Sequence, residues 1–135
     1  MEKQYYRIML GRKHMRADEC YKGEYFGGGW NIDVDLTNEF PPDWRDFNTK
    51  YRPVYLENNP GKGKVAAGLA CGMLYTLCKG MNKGDIALCP NAERAYYVGE
   101  VVGDYYYAPG EKLPHRRKVQ WYSNTIARSE MTQAL

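Results

Sequence analysis

Apolar residues fall along this chain in short alternating runs towards both ends and in helical stripes in the middle. Tyr5-Tyr6-Arg7-Ile8-Met9-Leu10 predicts a first strand, ended by Gly11. Arg16 to Lys22 predicts one or two helical turns with Gly23 as the stop. Ile32, Val34 and Leu36 alternate with Asn31, Asp33 and Asp35, the pattern of a half-buried strand with carboxylates on its wet face. Thr37 to Tyr55 is polar and aromatic, with Pro41-Pro42 and Pro53 as breakers. It predicts irregular structure with one short helix beginning near Asp43, and Asn58 to Gly63 reads as a loop. Val65, Leu69, Met73 and Leu77 form one stripe at helical spacing, and Ala66, Ala70, Leu74 and Cys78 form a second. The two stripes predict a helix over Val65 to Cys78, buried on most of its circumference and stopped by Gly80.

From Asn82 to Trp121 the period changes to that of strands. Ile86-Ala87-Leu88-Cys89 is a short apolar run, and Pro90 to Glu93 turns the chain into Tyr96-Tyr97-Val98-Gly99-Glu100-Val101-Val102. Gly103-Asp104 predicts another turn into Tyr105-Tyr106-Tyr107, which Pro109-Gly110 closes. His115-Arg116-Arg117-Lys118 then feeds Val119-Gln120-Trp121. Runs of β-branched and aromatic residues between Gly, Pro, Asn and Asp turns predict an antiparallel meander, a sheet that can curl into a small barrel, with the 65–79 helix packed against it. Arg128-Ser129-Glu130 begins another helix close to Leu135, which predicts that the chain is the N-terminal piece of a longer protein.

Length changes the picture little, since 135 residues make a single domain spanning 1–135. Tyrosine changes it more: there are 13 Tyr against 3 Phe, and a ring with a polar tip suits half-wet surfaces. A net charge of +3 selects no partner, but Arg12-Lys13-His14-Met15-Arg16 and His115-Arg116-Arg117-Lys118 concentrate the cations. Such groups serve phosphate or are solvated turns. Cys20, Cys71, Cys78 and Cys89 form no CxxC pair, so they read as reduced packing residues in a cytoplasmic protein, with no metal and no cofactor. The uncharged run that starts at Val65 is too short for a bilayer, and the first residues carry no signal-peptide pattern, so no membrane partner is expected. No Ser-centred elbow, P-loop or HExxH occurs, and Glu111-Lys112 and Asp33/Asp35 lack the spacing of a metal-dependent nuclease, so the chain reads as a binder with no catalytic residue.

Tyr25-Phe26-Gly27-Gly28-Gly29-Trp30 is the odd segment, because consecutive glycines weaken a strand unless bare backbone is needed there. A bulge, a barrel corner or close approach by a ligand would each require it. Gly29-Trp30 with Asp35-Leu36, Gly84-Asp85-Ile86 through Tyr97-Val98-Gly99-Glu100-Val101, Tyr105-Tyr106-Tyr107, Leu113-Pro114-His115-Arg116-Arg117 and Val119-Gln120-Trp121 together carry a likeness. They resemble the N-terminal domain of Mrr-like restriction endonucleases, which is similar to the EVE and YTH modified-base readers of the PUA-like superfamily. The resemblance implies an α+β fold, a PUA-like curved antiparallel β-barrel with two or three helices. It also implies a DNA-binding module that holds a flipped, modified base and targets a nuclease domain in cis or in trans. An RNA-binding PUA-like domain, or a protein-interaction or small-ligand-sensing domain, are the alternatives.

Aromatic walls return roughly 1–3 kcal/mol per base to a nucleotide that has left its stack. Trp30, Tyr25, Trp44 and Tyr106 are the candidate walls, and Asp35 is the candidate acceptor for a base amino group. Arg12, Lys13, Arg16, Arg116, Arg117 and Lys118 are the candidate phosphate contacts. Neighbours on a strand point to opposite faces, so one of Arg116 and Arg117 is expected under the sheet. His14 and His115 read as polar surface residues.

Overall fold

The computed structural model describes residues 2–131. The described part of the chain divides into two compact units, one of residues 2–27, 81–104 and 117–131, the other of residues 28–80 and 105–116. The architecture is α+β, with an open, mixed sheet of six strands and four helices among the described residues.

The strands are β1 (Tyr5–Arg7), β2 (Tyr25–Gly28), β3 (Ile86–Pro90), β4 (Ala95–Tyr107), β5 (His115–Trp121) and β6 (Ile126–Ala127). Their order is β1-β3-β4-β5-β2, and β6 pairs with the start of β4. β1 runs parallel to β3, with Tyr5 opposite Ile86 and Arg7 opposite Leu88. β3 and β4 are antiparallel, with Leu88 opposite Val98. The curved antiparallel barrel expected from the sequence is thus corrected to an open sheet with one parallel edge pair. Asp85 explains how that pair is held: its buried carboxylate accepts from the Gln4 N–H at 3.0 Å and the Asn82 N–H at 2.8 Å, tying β1 to the turn before β3. Ile86, Leu88, Tyr96 and Val98 form an apolar cluster with Ile126 packed on it.

The Asn91 turn forms as its sequence predicts. The Asn91 side chain accepts from the N–H groups of Glu93 (2.9 Å) and Ala95 (3.1 Å), and its own N–H donates to the Ala95 carbonyl. The turn predicted at Gly103-Asp104 does not form, because β4 runs through it without interruption. A Cβ at Gly103 would lie 2.9 Å from the Lys118 Cβ, so this glycine serves close approach to β5 rather than chain reversal.

The first unit also carries α1 (Ala17–Gly23), ended by Glu24 in the left-handed conformation, and the short α4 (Arg128–Met131). The second unit holds α2 (Trp44–Asn58) and α3 (Lys64–Tyr75), which pack on each other. Asp43 caps α2 by accepting from the Arg45 N–H at 2.9 Å. α2 is far longer than the short helix expected, and Pro53 lies inside it. Phe47, Tyr51 and Tyr55 recur every four residues and are buried, and that stripe outweighs the one backbone bond a proline forfeits. In α3 only one predicted stripe is inward: Ala70 and Leu74 are buried, whereas Val65, Leu69 and Met73 face solvent. Burial on most of the circumference is therefore corrected to burial on one side.

Residues 31–36 are not the predicted strand. Trp30 and Asn31 both adopt left-handed backbone (φ 52 and 56), which breaks extension at once. Ile32 and Leu36 are the buried anchors of a loop, and Val34 between them is exposed.

Candidate functional site

The loop of residues 29–38 is fixed at several points within the second unit. The Asn59 side chain donates to the Trp30 carbonyl at 3.2 Å, and the Asn58 side chain to the Asn31 carbonyl at 2.8 Å. Beyond them His115 is wholly buried, with Nε2 2.5 Å from the Ile32 carbonyl oxygen and Nδ1 2.8 Å from the Tyr105 hydroxyl. The Leu36 N–H donates to the same hydroxyl at 3.1 Å.

For a neutral ring these contacts admit one proton arrangement. A carbonyl only accepts, so Nε2 carries the proton; Nδ1 then accepts from the Tyr105 O–H, whose oxygen accepts from Leu36. Burial lowers the His115 pKa, although the Ile32 carbonyl and the carboxylates of Asp33 and Asp35 oppose it. Burial likewise raises that of Tyr105. The imidazole is thus a neutral clip that binds the loop to the end of β4 and the start of β5.

Trp30 lies beside the clipped stretch, half-buried, and accounts for part of the glycine triplet. A Cβ at Gly28 would come within 2.3 Å of the Trp30 ring, so the indole occupies the space a side chain would take. The bare backbone there is covered from within the chain. Asp35 is exposed, and its Oδ1 accepts from the N–H of Thr37 at 2.9 Å and from the Thr37 hydroxyl. Those bonds, the hydroxyl's first, hold its carboxyl below the usual range. Oδ2 accepts from no other described residue, so it remains for a donor from outside.

A separate open cleft of about 310 Å³ is lined by Asn38, Glu39, Phe40, Pro41, Asp46, Phe47 and Lys50. Phe40 stacks on Phe47 with centroids 5.2 Å apart, and Phe47 on Tyr51 at 4.7 Å. Lys50 and the Tyr51 hydroxyl both engage Glu39, so the two carboxylates of the rim face a single lysine, a poor host for phosphate. Trp30, Asp35 and Trp44 do not line it.

Trp44 is 46% exposed at the start of α2, with the Arg45 guanidinium 5.0 Å above its ring. Tyr106 is exposed on β4. Tyr25 belongs to the first unit, where it is buried and donates its hydroxyl to Glu19 at 2.8 Å, which corrects it from a base-stacking wall to a packing residue.

The basic residues divide in the same way. Arg12 and Lys13 are exposed on a 3₁₀ turn (Arg12–His14), and Arg16 pairs with Glu19 at 3.1 Å. Lys118 is exposed, and Arg116 is half-buried with Nε donating to the Leu113 carbonyl. Arg117 is only 3% exposed and donates to the carbonyls of Gly103 and Met81, each at 2.8 Å. It is the inward member of the pair, and its phosphate assignment is corrected to a structural tie. His115 is corrected in the same sense, from surface to core. The signal for both was present: Leu113, His115, Arg117 and Val119 alternate, and Val119 is plainly apolar.

A family described as Domain of unknown function (DUF8426) matches residues 6–134. The chain belongs to that family. No curated protein and no solved structure matches it. In this DUF8426 chain no helix among the described residues is long and apolar enough to cross a membrane. No group of three or more His, Cys, Asp or Glu among the described residues of the DUF8426 chain is placed to hold a metal ion.

Proposed function

We propose that the chain binds DNA and reads a modified, flipped base, as the targeting module of a nuclease carried in cis or in trans, on a PUA-like variant of the open sheet. The observation that supports this reading most is the presence of Trp30 and Asp35 on one loop clipped by Asn59, His115 and Tyr105. A half-buried indole whose carbonyl is held by Asn59, and a carboxylate that Thr37 orients and that keeps a spare acceptor, are pre-set to stack a base and accept from its amino group. Arg12 and Lys13 supply phosphate contacts in the first unit, and Arg116 in the second.

A panel of modified and plain DNA and RNA oligonucleotides tests the reading. Trp30→Ala is expected to remove roughly 1–3 kcal/mol of preference for the modified strand, the worth of one stacked base. Its thermal midpoint should stay within a few degrees of wild type, since the indole covers glycine backbone rather than the core. Wild type that binds no strand at low salt would end the proposal.

The phosphate role has its own signature. Arg12→Ala or Lys13→Ala should weaken every duplex alike and lower the log–log salt slope by about 1. Asp35→Asn should instead flatten the base preference and leave that slope unchanged. Unaltered slopes in both basic variants would show that this turn is merely solvated.

A further inference from the structure

The outer face of α3 plays no part in the site above. Val65, Leu69 and Met73 are 79%, 64% and 54% exposed, and their four-residue spacing stacks them along one side of the helix. Gly68 and Gly72 lie between them in sequence, and a Cβ built at either would meet nothing within 4 Å. The opposite side of the same helix, with Ala67, Ala70, Cys71 and Leu74, is already buried. Single exposed apolar residues need no explanation, but an aligned set beside open glycine notches is a contact surface without its contact.

The ends of the face are cationic. Lys62 precedes the helix, Lys64 opens its first turn, Lys79 follows its last, and residues 61–80 contain no Asp or Glu. All three lysines are exposed.

We propose that this face docks an amphipathic helix of another protein, with apolar side chains along about three turns and carboxylates at both ends. The notches admit the side-chain ridge of a helix, which a flat lipid surface would leave unfilled. A second copy of this chain would set lysine ends against lysine ends in either orientation, whereas carboxylates complement them. The proposal stands apart from the nucleic-acid reading and survives its failure.

The probe is a fluorescein-labelled synthetic helix with a leucine stripe and glutamates at both ends, read by anisotropy beside a twin with lysines there. The acidic helix is expected to bind the full chain roughly tenfold or more tighter than its twin, a gap that added salt narrows. Leu69→Lys should weaken the acidic helix by roughly tenfold. Gly72→Leu should do the same by filling the notch, without lowering the thermal midpoint, because leucine favours a helix over glycine. Equal affinity for the two probes, no binding of either, or two variants that bind like wild type would each overturn the proposal. So would a dimer of the chain that Leu69→Lys dissolves, or phosphatidylserine vesicles that bind wild type and release that variant, since each assigns the face to another occupant.

Discussion

Arg117→Ala is expected to destabilise the protein by about 3–5 kcal/mol, the range for deleting a large buried side chain and stranding its partners. The guanidinium joins the Gly103 carbonyl on β4 to the Met81 carbonyl before β3, two points distant in sequence. Its removal strands the buried Met81 carbonyl, strips a partner from the half-buried Gly103 carbonyl and opens a void the length of the side chain. Natural domains hold only about 5–15 kcal/mol, so the urea midpoint should fall sharply. Arg117→Lys should recover only part, because an ammonium on a flexible stem lacks the planar fork that spans two fixed acceptors. Lys118→Ala, at an exposed neighbouring position, should stay within about 0.5 kcal/mol of wild type. A loss under about 1 kcal/mol in Arg117→Ala would show that the tie is dispensable.

His115→Leu is expected to cost about 2–3 kcal/mol, because the Ile32 carbonyl and the Tyr105 hydroxyl are left without the imidazole. The same residue sets a pH dependence with a defined sign. Its folded-state pKa lies below the ordinary 6.5, so above that pH the ring is neutral whether folded or not, and the clip contributes in full. As pH falls through 6.5 the unfolded chain takes up a proton that the folded chain refuses, and stability drops until the lower folded-state pKa is passed. Denaturation midpoints between pH 8 and pH 5 should decline in wild type and lose that component in His115→Leu. Asp35 acts in a lower window. Its depressed pKa makes its contribution present above 3.8 and lost as pH falls further. A wild-type curve with no slope between 6.5 and 5 would contradict the buried neutral imidazole.

The regular strands were legible because their side chains alternate and their turns carry local chemistry, as at Asn91. Gly103-Asp104 misled because a glycine chosen for a close neighbour looks the same in sequence as one chosen for a turn. The parallel pairing of β1 with β3 rests on Asp85 reaching back to Gln4, a contact that no local pattern announces. Pro53 hid α2, whose buried Phe47, Tyr51 and Tyr55 read as aromatic loop. At the candidate site the residue types of Trp30 and Asp35 could be picked out, but the apparent alternation around Asp35 gave a strand where two left-handed residues make a loop. Alternation puts one of Arg116 and Arg117 under the sheet but does not by itself say which, and the polarity of His115 conceals that it lies on the same inward face as Val119. Tertiary contacts decided these positions, and single-residue preferences could not.

The cysteines give the molecule an internal clock for opening. Cys20 and Cys89 lie in the first unit and Cys71 and Cys78 in the second, all four buried. Burial pushes the Cys71 thiol up to about 11 and Cys89 well above its ordinary value, so in the closed state neither offers alkylating reagents an accessible thiolate. Labelling therefore proceeds only through molecules that have transiently opened. Mass spectrometry of the separate peptides then times how often each half of the chain comes apart, with no probe added to either.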